Sequence, residues 1–350
     1  MGQAISMAER QAGRRRRRRN GLMGDEREDV VGPGREPGDA PGHDARSPQE
    51  IPPEGWLAVL RRVFWQAISD EIGMAAASCG FYAILALFPV ILVAISIYGL
   101  FNDQNTAARQ LEALQGVLPP SAFELVRDRV QDVATAGRTR LSSSLAVSLA
   151  VALWSAMNGV KSIITALNVA YEEREKRSFL RLNLEVLLIT LCGILGLVVT
   201  LTVIVAVPAA LASGWLGPVP ALLVRASAFV LLLVFAMLAL ALIYRFGPSR
   251  ENAKWRWVTP GSILAAALWL LVSLGFSLYV ARFGDYDALY GTLGGVVVAM
   301  FWFWISAYAL LLGAELNAEL ELQTRHDTTT DPTAPMGRRG AFVADHVVRS

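Results

Sequence analysis

Between Trp257 and Leu320 two long apolar runs flank Tyr286-Asp287-Ala288-Leu289-Tyr290-Gly291-Thr292-Leu293-Gly294-Gly295. A bilayer core is about 30 Å thick and a helix rises about 1.5 Å per residue, so apolar runs of this length fill a membrane. Four more apolar stretches come earlier, and the pattern predicts six membrane helices at 75–101, 141–164, 182–211, 221–244, 258–281 and 290–312. Ahead of the first, Trp56, Leu57, Val59, Leu60, Val63, Phe64 and Ile68 recur at helical spacing, with Arg61, Arg62 and Gln66 elsewhere on the wheel. That spacing predicts an amphipathic helix over 55–72, lying in the membrane interface. Residues 102–140 mix Leu111, Leu114, Leu118, Val126, Val130 and Val133 with charges around Pro119-Pro120. They read as two amphipathic helices, broken at the prolines, on the outer surface.

Composition sharpens the contrast between middle and ends. The chain has 350 residues, 54% of them hydrophobic, and a mean hydropathy of +0.42, although both ends are polar. Residues 1–54 are rich in Arg, Gly, Pro, Asp and Glu. Such a segment buries too little apolar surface to offset its chain entropy, so 1–54 and the tail 322–350 are expected to be disordered. The expected fold is an all-α membrane protein, a six-helix transmembrane bundle over 73–321 with amphipathic interfacial helices and disordered termini.

Charge placement gives orientation. Arg174, Lys176, Arg177 and Arg181 follow the second span, and Arg245, Arg250, Lys254 and Arg256 follow the fourth. The loops after the third and fifth spans hold Arg225 and Arg282. By the positive-inside bias both termini are expected in the cytoplasm, although the long first outer loop carries arginines of its own. The block Arg14 to Arg19 is a candidate contact for anionic lipid headgroups, at about 1 kcal/mol per charge, or simply a topogenic tail. No specific nucleic-acid partner is expected.

Chemistry is sparse. Cys79 and Cys192 lie inside predicted spans, and His43, His326 and His346 lie in the tails. No spacing here holds a metal, and no cofactor or catalytic set is expected. Ionisable groups near the bilayer are expensive, so each invites an explanation. Glu71 precedes the first span, Lys161 ends the second with Asn158 one turn before it, Glu185 sits one turn into the third, and Glu315 ends the sixth with Asn317 beside it. Together they form a candidate vestibule for a substrate or lipid headgroup. In the plainer reading Lys161 snorkels and the carboxylates pair with Arg181 or nearby lysines. Pro89 is a hinge or a simple bend, while Gly291, Gly294, Gly295 and Gly313 are candidates for close helix packing.

The motifs Ala75-Ala76-Ala77-Ser78-Cys79-Gly80-Phe81-Tyr82-Ala83-Ile84-Leu85-Ala86-Leu87-Phe88-Pro89, Trp154-Ser155-Ala156 with Asn158-Gly159, Ala166-Leu167-Asn168, and Tyr290-Gly291-Thr292-Leu293-Gly294 through Gly313-Ala314-Glu315-Leu316-Asn317-Ala318 resemble the YihY/BrkB family of bacterial inner-membrane proteins. The resemblance covers about 55–322. It implies six helices, cytoplasmic termini, an inner-membrane location and an association with envelope integrity or virulence. An older label for the family is ribonuclease BN, but a nuclease needs clustered, water-accessible carboxylates or histidines, and the loops here are short. The expected function is therefore non-enzymatic: a transporter or facilitator of lipid or another amphipathic envelope component. A small-solute exporter and an envelope-integrity scaffold are the alternatives. Membrane lipids are the expected partners, and a homo-oligomer is compatible with the sequence without being fixed by any motif.

Overall fold

The computed structural model describes residues 30–31, 40–101, 138–212, 218–283, 294–330 and 332–348. The arginine block, the outer segment 102–137 and Gly291 lie outside them. A short helix α1 (Pro53–Ser69) leads into α2 (Ile72–Phe101), followed by α3 (Arg138–Ala170), α4 (Phe179–Ala212), α5 (Pro218–Phe246), α6 (Trp255–Phe283) and α7 (Gly294–Leu322), with a four-residue α8 (Phe342–Asp345) near the end. Among the described residues, α3 to α7 are long and apolar enough to cross a membrane, and α2 carries a shorter apolar stretch, Ile72–Ala86. α2 runs on through Pro89 to Phe101.

Two helix ends are built alike. Past α1, Glu71 takes the left-handed conformation (φ 50°), and past α3 Glu172 does the same (φ 56°). At the second, Glu173 N–H reaches Asn168 O and Glu172 N–H reaches Val169 O, the paired bonds that close a helix on a left-handed residue, usually glycine. The chain thereby turns sharply without a glycine, and Glu71 joins α1 to α2 with no intervening loop.

α7 is the centre of the bundle, packing against α1, α2, α3, α6 and α8. α2 lies along α3, α5 along α6, and α4 against α3 and α5. The tightest core sits at one end, where Leu311, Ala314, Ala318 and Leu322 meet Leu167, Tyr171, Tyr244, Val258 and Ala265. Elsewhere the helices present exposed apolar side chains such as Leu195, Leu231, Leu271 and Leu274. Such surfaces match hydrocarbon, because every helical backbone group is already paired within its own helix.

The ends of the chain differ from expectation. Residues 40–54, 322–330 and 332–348 are folded against the closed end of the bundle, not disordered. Gln323 Nε2 donates to Pro41 O (2.6 Å), Thr324 Oγ1 to Ala45 O (2.6 Å) and Arg325 N to His43 O (3.0 Å). Ala45 and Ile51 pack with Val59, Val63, Trp257, Leu316 and Leu320. Val30–Val31 pairs antiparallel with Val347–Val348. Composition scores each tail by its own apolar content, whereas here the tails borrow the core and hydrogen-bond partners of helices far away in sequence. For the same reason α3 and α7 outrun their expected ends: their last turns are buried in protein.

Candidate functional site

At the closed end the helix α7 does something unusual for a helix terminus: every residue from Gly313 to Leu322 is buried. Polar residues Glu315, Asn317, Glu319, Glu321 and Gln323 alternate with Leu316, Ala318, Leu320 and Leu322. On a helix, residues two apart point about 200° apart, so this alternation sends polar groups to all sides. Each buried polar group then needs a partner on a different neighbour.

The partners are present. Glu321, fully buried, accepts from the equally buried Arg250 Nη2 (2.7 Å) and from Thr328 Oγ1 (2.6 Å). Arg250 also lies over the Tyr171 ring, 4.4 Å from guanidinium carbon to centroid. Its Nε and Nη1 have no hydrogen-bond acceptor among the described residues, and the ring's electron-rich face takes that place. Burial pushes the Tyr171 phenol well above its ordinary range, Arg250 opposes this, and Glu321 and Glu315 add to it. Burial works against the Arg250 charge, but Glu321 and Tyr171 outweigh it and hold the guanidinium protonated. On the opposite side of α7, Glu319 accepts from Arg62 Nε of α1 (2.6 Å), and Arg62 Nη2 donates to Gln323 Oε1 (2.5 Å).

Asn317 binds backbone. Pro260 interrupts the first turns of α6 and brings no N–H to the ladder. Beside it, Gly261 N donates to Asn317 Oδ1 (2.8 Å), and Asn317 Nδ2 donates to Val258 O (3.2 Å). Here Gly261 and Gly313 face each other across the α6–α7 crossing. A Cβ on Gly313 would stand 2.5 Å from Gly261 O and from Tyr244 Oη. Tyr244 Oη in turn donates to Leu310 O (2.7 Å).

The connections α3–α4 and α5–α6 are stitched together by Asn168, whose Oδ1 accepts from Ser249 N (2.7 Å) and whose Nδ2 donates to Glu175 Oε2 (3.1 Å). Arg177 donates to Glu175, to Glu185 and to Gly247 O. Burial acts to raise the Glu175 carboxyl, but the hydrogen bonds from Arg177 and Asn168 win and hold it at about 2, against an ordinary 4.5. A depressed carboxylate contributes stability that is full above its unfolded value and is lost as pH falls through its folded one. The melting midpoint of wild type should therefore exceed that of Glu175→Gln at pH 6, with the gap shrinking from about pH 4.5 toward pH 2. Thermal melts of the two proteins across that range check this; equal midpoints at pH 6 would count against the tie.

The structure places the sequence-chosen residues in separate settings. Glu315 and Asn317 lie in the buried end of α7, Glu315 close enough to Tyr171 for its charge to be felt there. Lys161 is half-buried on α3 with Nζ 5.8 Å from the centroid of Phe179, the first residue of α4. Glu185 takes Arg177 (2.6 Å) and Arg181 (2.8 Å). Lys161 thus reaches the start of α4 from α3, while Glu185 stands on α4 itself with different partners. Asn158 Nδ2 donates to Trp154 O of its own helix (2.8 Å), and Glu71 is an exposed turn residue. Gly313 sits at the crossing, Gly294 opens α7 in a buried position, and Gly295 has open space around it. Arg62, Asn168, Tyr171, Arg250, Glu319 and Glu321 were not among the candidate site residues chosen from the sequence, although Asn168 stood in a family motif and Arg62 and Arg250 were noted for their charge. The signal available for the two glutamates is the polar alternation at the end of α7, which no single buried face accommodates.

Several long apolar helices closed at one end by buried ion pairs define a multi-pass helical membrane protein. The chain belongs to the YihY/BrkB family: the family model described as virulence factor BrkB matches residues 63–337. Among its relatives, a ribonuclease-like protein, YfkH, of Bacillus subtilis (strain 168) is 30% identical over 277 residues, covering 75% of this chain and 95% of the relative. A UPF0761 membrane protein of Pseudoalteromonas translucida (strain TAC 125) is 22% identical over 283 residues, 79% of this chain and 89% of the relative. Another from Methylibium petroleiphilum is 26% identical, covering 82% and 68%. No solved structure matches.

Proposed function

We propose that this protein moves lipid, or another amphipathic component of the cell envelope, within or across the bacterial inner membrane, and that it performs no catalysis. The observation that carries this reading is the α4–α5 pair. Only 11% of the apolar window of α4 and 6% of that of α5 is buried within the protein, as little as in the windows of α6 and α7, and α4 and α5 lack the fully buried end that anchors α7 from Gly313 to Leu322. A weakly held apolar pair beside a rigid core offers acyl chains a lateral surface. Lys161, Phe179 and the Arg177–Arg181–Glu185 group at the start of α4 offer polar contacts for a headgroup.

In the full arrangement α2 is the first of six spans, the closed end faces the cytoplasm with both tails, and α1 lies in the interface. α1 supports this by its two faces: Val59, Val63 and Ala67 are buried, whereas Leu57, Leu60, Phe64 and Ile68 are exposed on the other side. Lipid is the partner that face fits. The buried glutamates argue for structure over nuclease chemistry, because Glu319 and Glu321 are engaged by Arg62 and Arg250 and Glu173 by Lys176.

The test is reconstitution into liposomes holding a fluorescent phospholipid, followed by quenching from outside. Wild-type protein is expected to speed loss of the protected lipid over protein-free vesicles, and Lys161→Ala and Glu185→Ala to slow that gain. Transfer no faster than in empty vesicles would move the reading to a non-transporting envelope scaffold, which the many ties at the closed end favour.

A further inference from the structure

One side of α3 changes character along its length. Val147, Val151, Trp154, Asn158, Lys161 and Thr165 follow one another at steps of three and four residues, so they form a single stripe along the helix. The described helices leave it uncovered: Val147, Val151, Trp154 and Thr165 are exposed, Trp154 to 58%, while Asn158 and Lys161 are half-buried. From the closed end of the bundle the stripe is polar over two turns, through Thr165, Lys161 and Asn158, and apolar over the next two.

The helix beside this stripe pulls away from it. α4 begins against it, with the Lys161 ammonium 5.8 Å from the centroid of the Phe179 ring. The face of α4 that is buried at Val186 and Thr190 is open one heptad further on, where a Cβ on Gly193 would meet nothing within 4 Å and Leu197 is 52% exposed. Residues seven apart differ by only about 20° around a helix, so the same face has lost its neighbour. α4 packs on α3 and α5, and Gly196 still lies against Phe235 of α5. The neighbour that α4 leaves is α3, and between the two runs a trough open to the bilayer.

Charges at the polar end of the trough do not balance. Glu175 takes Arg177, and Glu185 takes Arg177 and Arg181. Lys161 has no carboxylate among the described residues, only the Phe179 ring. It stands nine residues before Ala170, the last residue of α3, or about 14 Å of helix from that end. A cation so placed in a membrane protein is costly unless an anion meets it. A second copy of the chain docked on this stripe about a two-fold axis along the membrane normal would bring Lys161 toward Lys161. An anion that also carries an apolar body long enough to follow Trp154, Val151 and Val147 is a phospholipid, and a zwitterionic headgroup would bring a cation of its own to Lys161 and the exposed Arg181.

We propose that the trough between α3 and the outer half of α4 holds one anionic phospholipid, with its phosphate on Lys161 and an acyl chain along Trp154, Val151 and Val147. This rests on the lipid reading above and narrows it to a lipid class and a place.

The experiment is native mass spectrometry of the full chain released from nanodiscs of phosphatidylglycerol and phosphatidylcholine in equal parts, with identical acyl chains. Wild type is expected to keep one phosphatidylglycerol in preference to phosphatidylcholine. Lys161→Gln should lower that preference by about tenfold, the weight of one charge-assisted hydrogen bond, and Lys161→Arg should keep it. Val151→Trp, which fills the trough, should lower retention of both lipids, while Arg338→Gln, on the exposed tail, should change nothing. Equal retention of the two lipids by wild type would overturn the proposal. So would a preference that survives Lys161→Gln or falls as far in Arg338→Gln, and so would a dimer that Val151→Trp breaks, which would give the stripe to a second copy. If Lys161→Gln fails to accumulate, the wild-type competition and Val151→Trp decide by themselves. A protein that keeps phosphatidylglycerol here yet moves no lipid in liposomes loses the transport reading and retains the site; transport without retained phosphatidylglycerol does the reverse.

Discussion

Gly313→Val is expected to leave little folded protein in the membrane. At the α6–α7 crossing even a methyl group on residue 313 would lie 2.5 Å from Gly261 O and Tyr244 Oη and 2.8 Å from the Ala265 Cβ. Two of those neighbours are backbone oxygen and a hydroxyl already committed to Leu310 O, so neither yields cheaply. Overpacking of this kind costs about 1–3 kcal/mol for small additions and more for a branched side chain. The damage spreads, because separating the helices also pulls Asn317 away from Gly261 N and Val258 O, leaving buried amide groups unpaired. Gly313→Ala should show a milder form of the same defect. Membrane levels and thermal melting of the purified variants check this, and a Gly313→Val protein with the wild-type melting midpoint would refute the crossing as drawn.

Glu321→Leu is the second substitution with a large expected effect. It strands the Arg250 guanidinium, whose side chain is 0% exposed, and it strips Thr328 of its acceptor. Removing one member of a buried ion pair typically costs about 3–5 kcal/mol, since the remaining charge keeps its desolvation penalty and loses its compensation. Replacing both members by apolar residues of similar volume avoids that penalty. The double variant Arg250→Met with Glu321→Leu should therefore recover most of the stability lost in Glu321→Leu alone. A double-mutant cycle on melting midpoints measures the coupling; additive losses would show that the pair is not the unit described. The same cycle on Arg62 and Glu319 should give a smaller coupling, because the Arg62 side chain is 19% exposed and solvent screens the pair.

Much of the fold was legible because hydrocarbon imposes a simple rule. Segments such as Phe179–Thr200 and Leu222–Phe246 carry mean hydropathies of 2.3 and 2.9, and a backbone in lipid must close its own hydrogen bonds, so helix type and approximate position follow from the run of apolar residues. The family was legible too, in the motifs around Trp154, Asn168 and Gly313. The candidate site was legible only in fragments. Glu315 and Asn317 were visible as polar residues at a helix end, but Asn317 serves Gly261 N and Val258 O, which lie more than fifty residues away in sequence. Lys161 and Glu185 were expected to share one vestibule with Glu315; the partners that the structure gives them are the Phe179 ring for Lys161, and Arg177 and Arg181 for Glu185.

By itself, then, the sequence determined the membrane-spanning helices, since their formation depends on local hydropathy and on hydrogen bonds made within each segment. Only the tertiary structure decided the partners: that Arg250 would be buried between Glu321 and the Tyr171 ring, that two glycines would meet where α6 crosses α7, and that polar tails would fold over the closed end. Those outcomes rest on contacts between residues remote in the chain, where a charge is tolerable only because its counterpart arrives from another helix, and no local pattern carries that information.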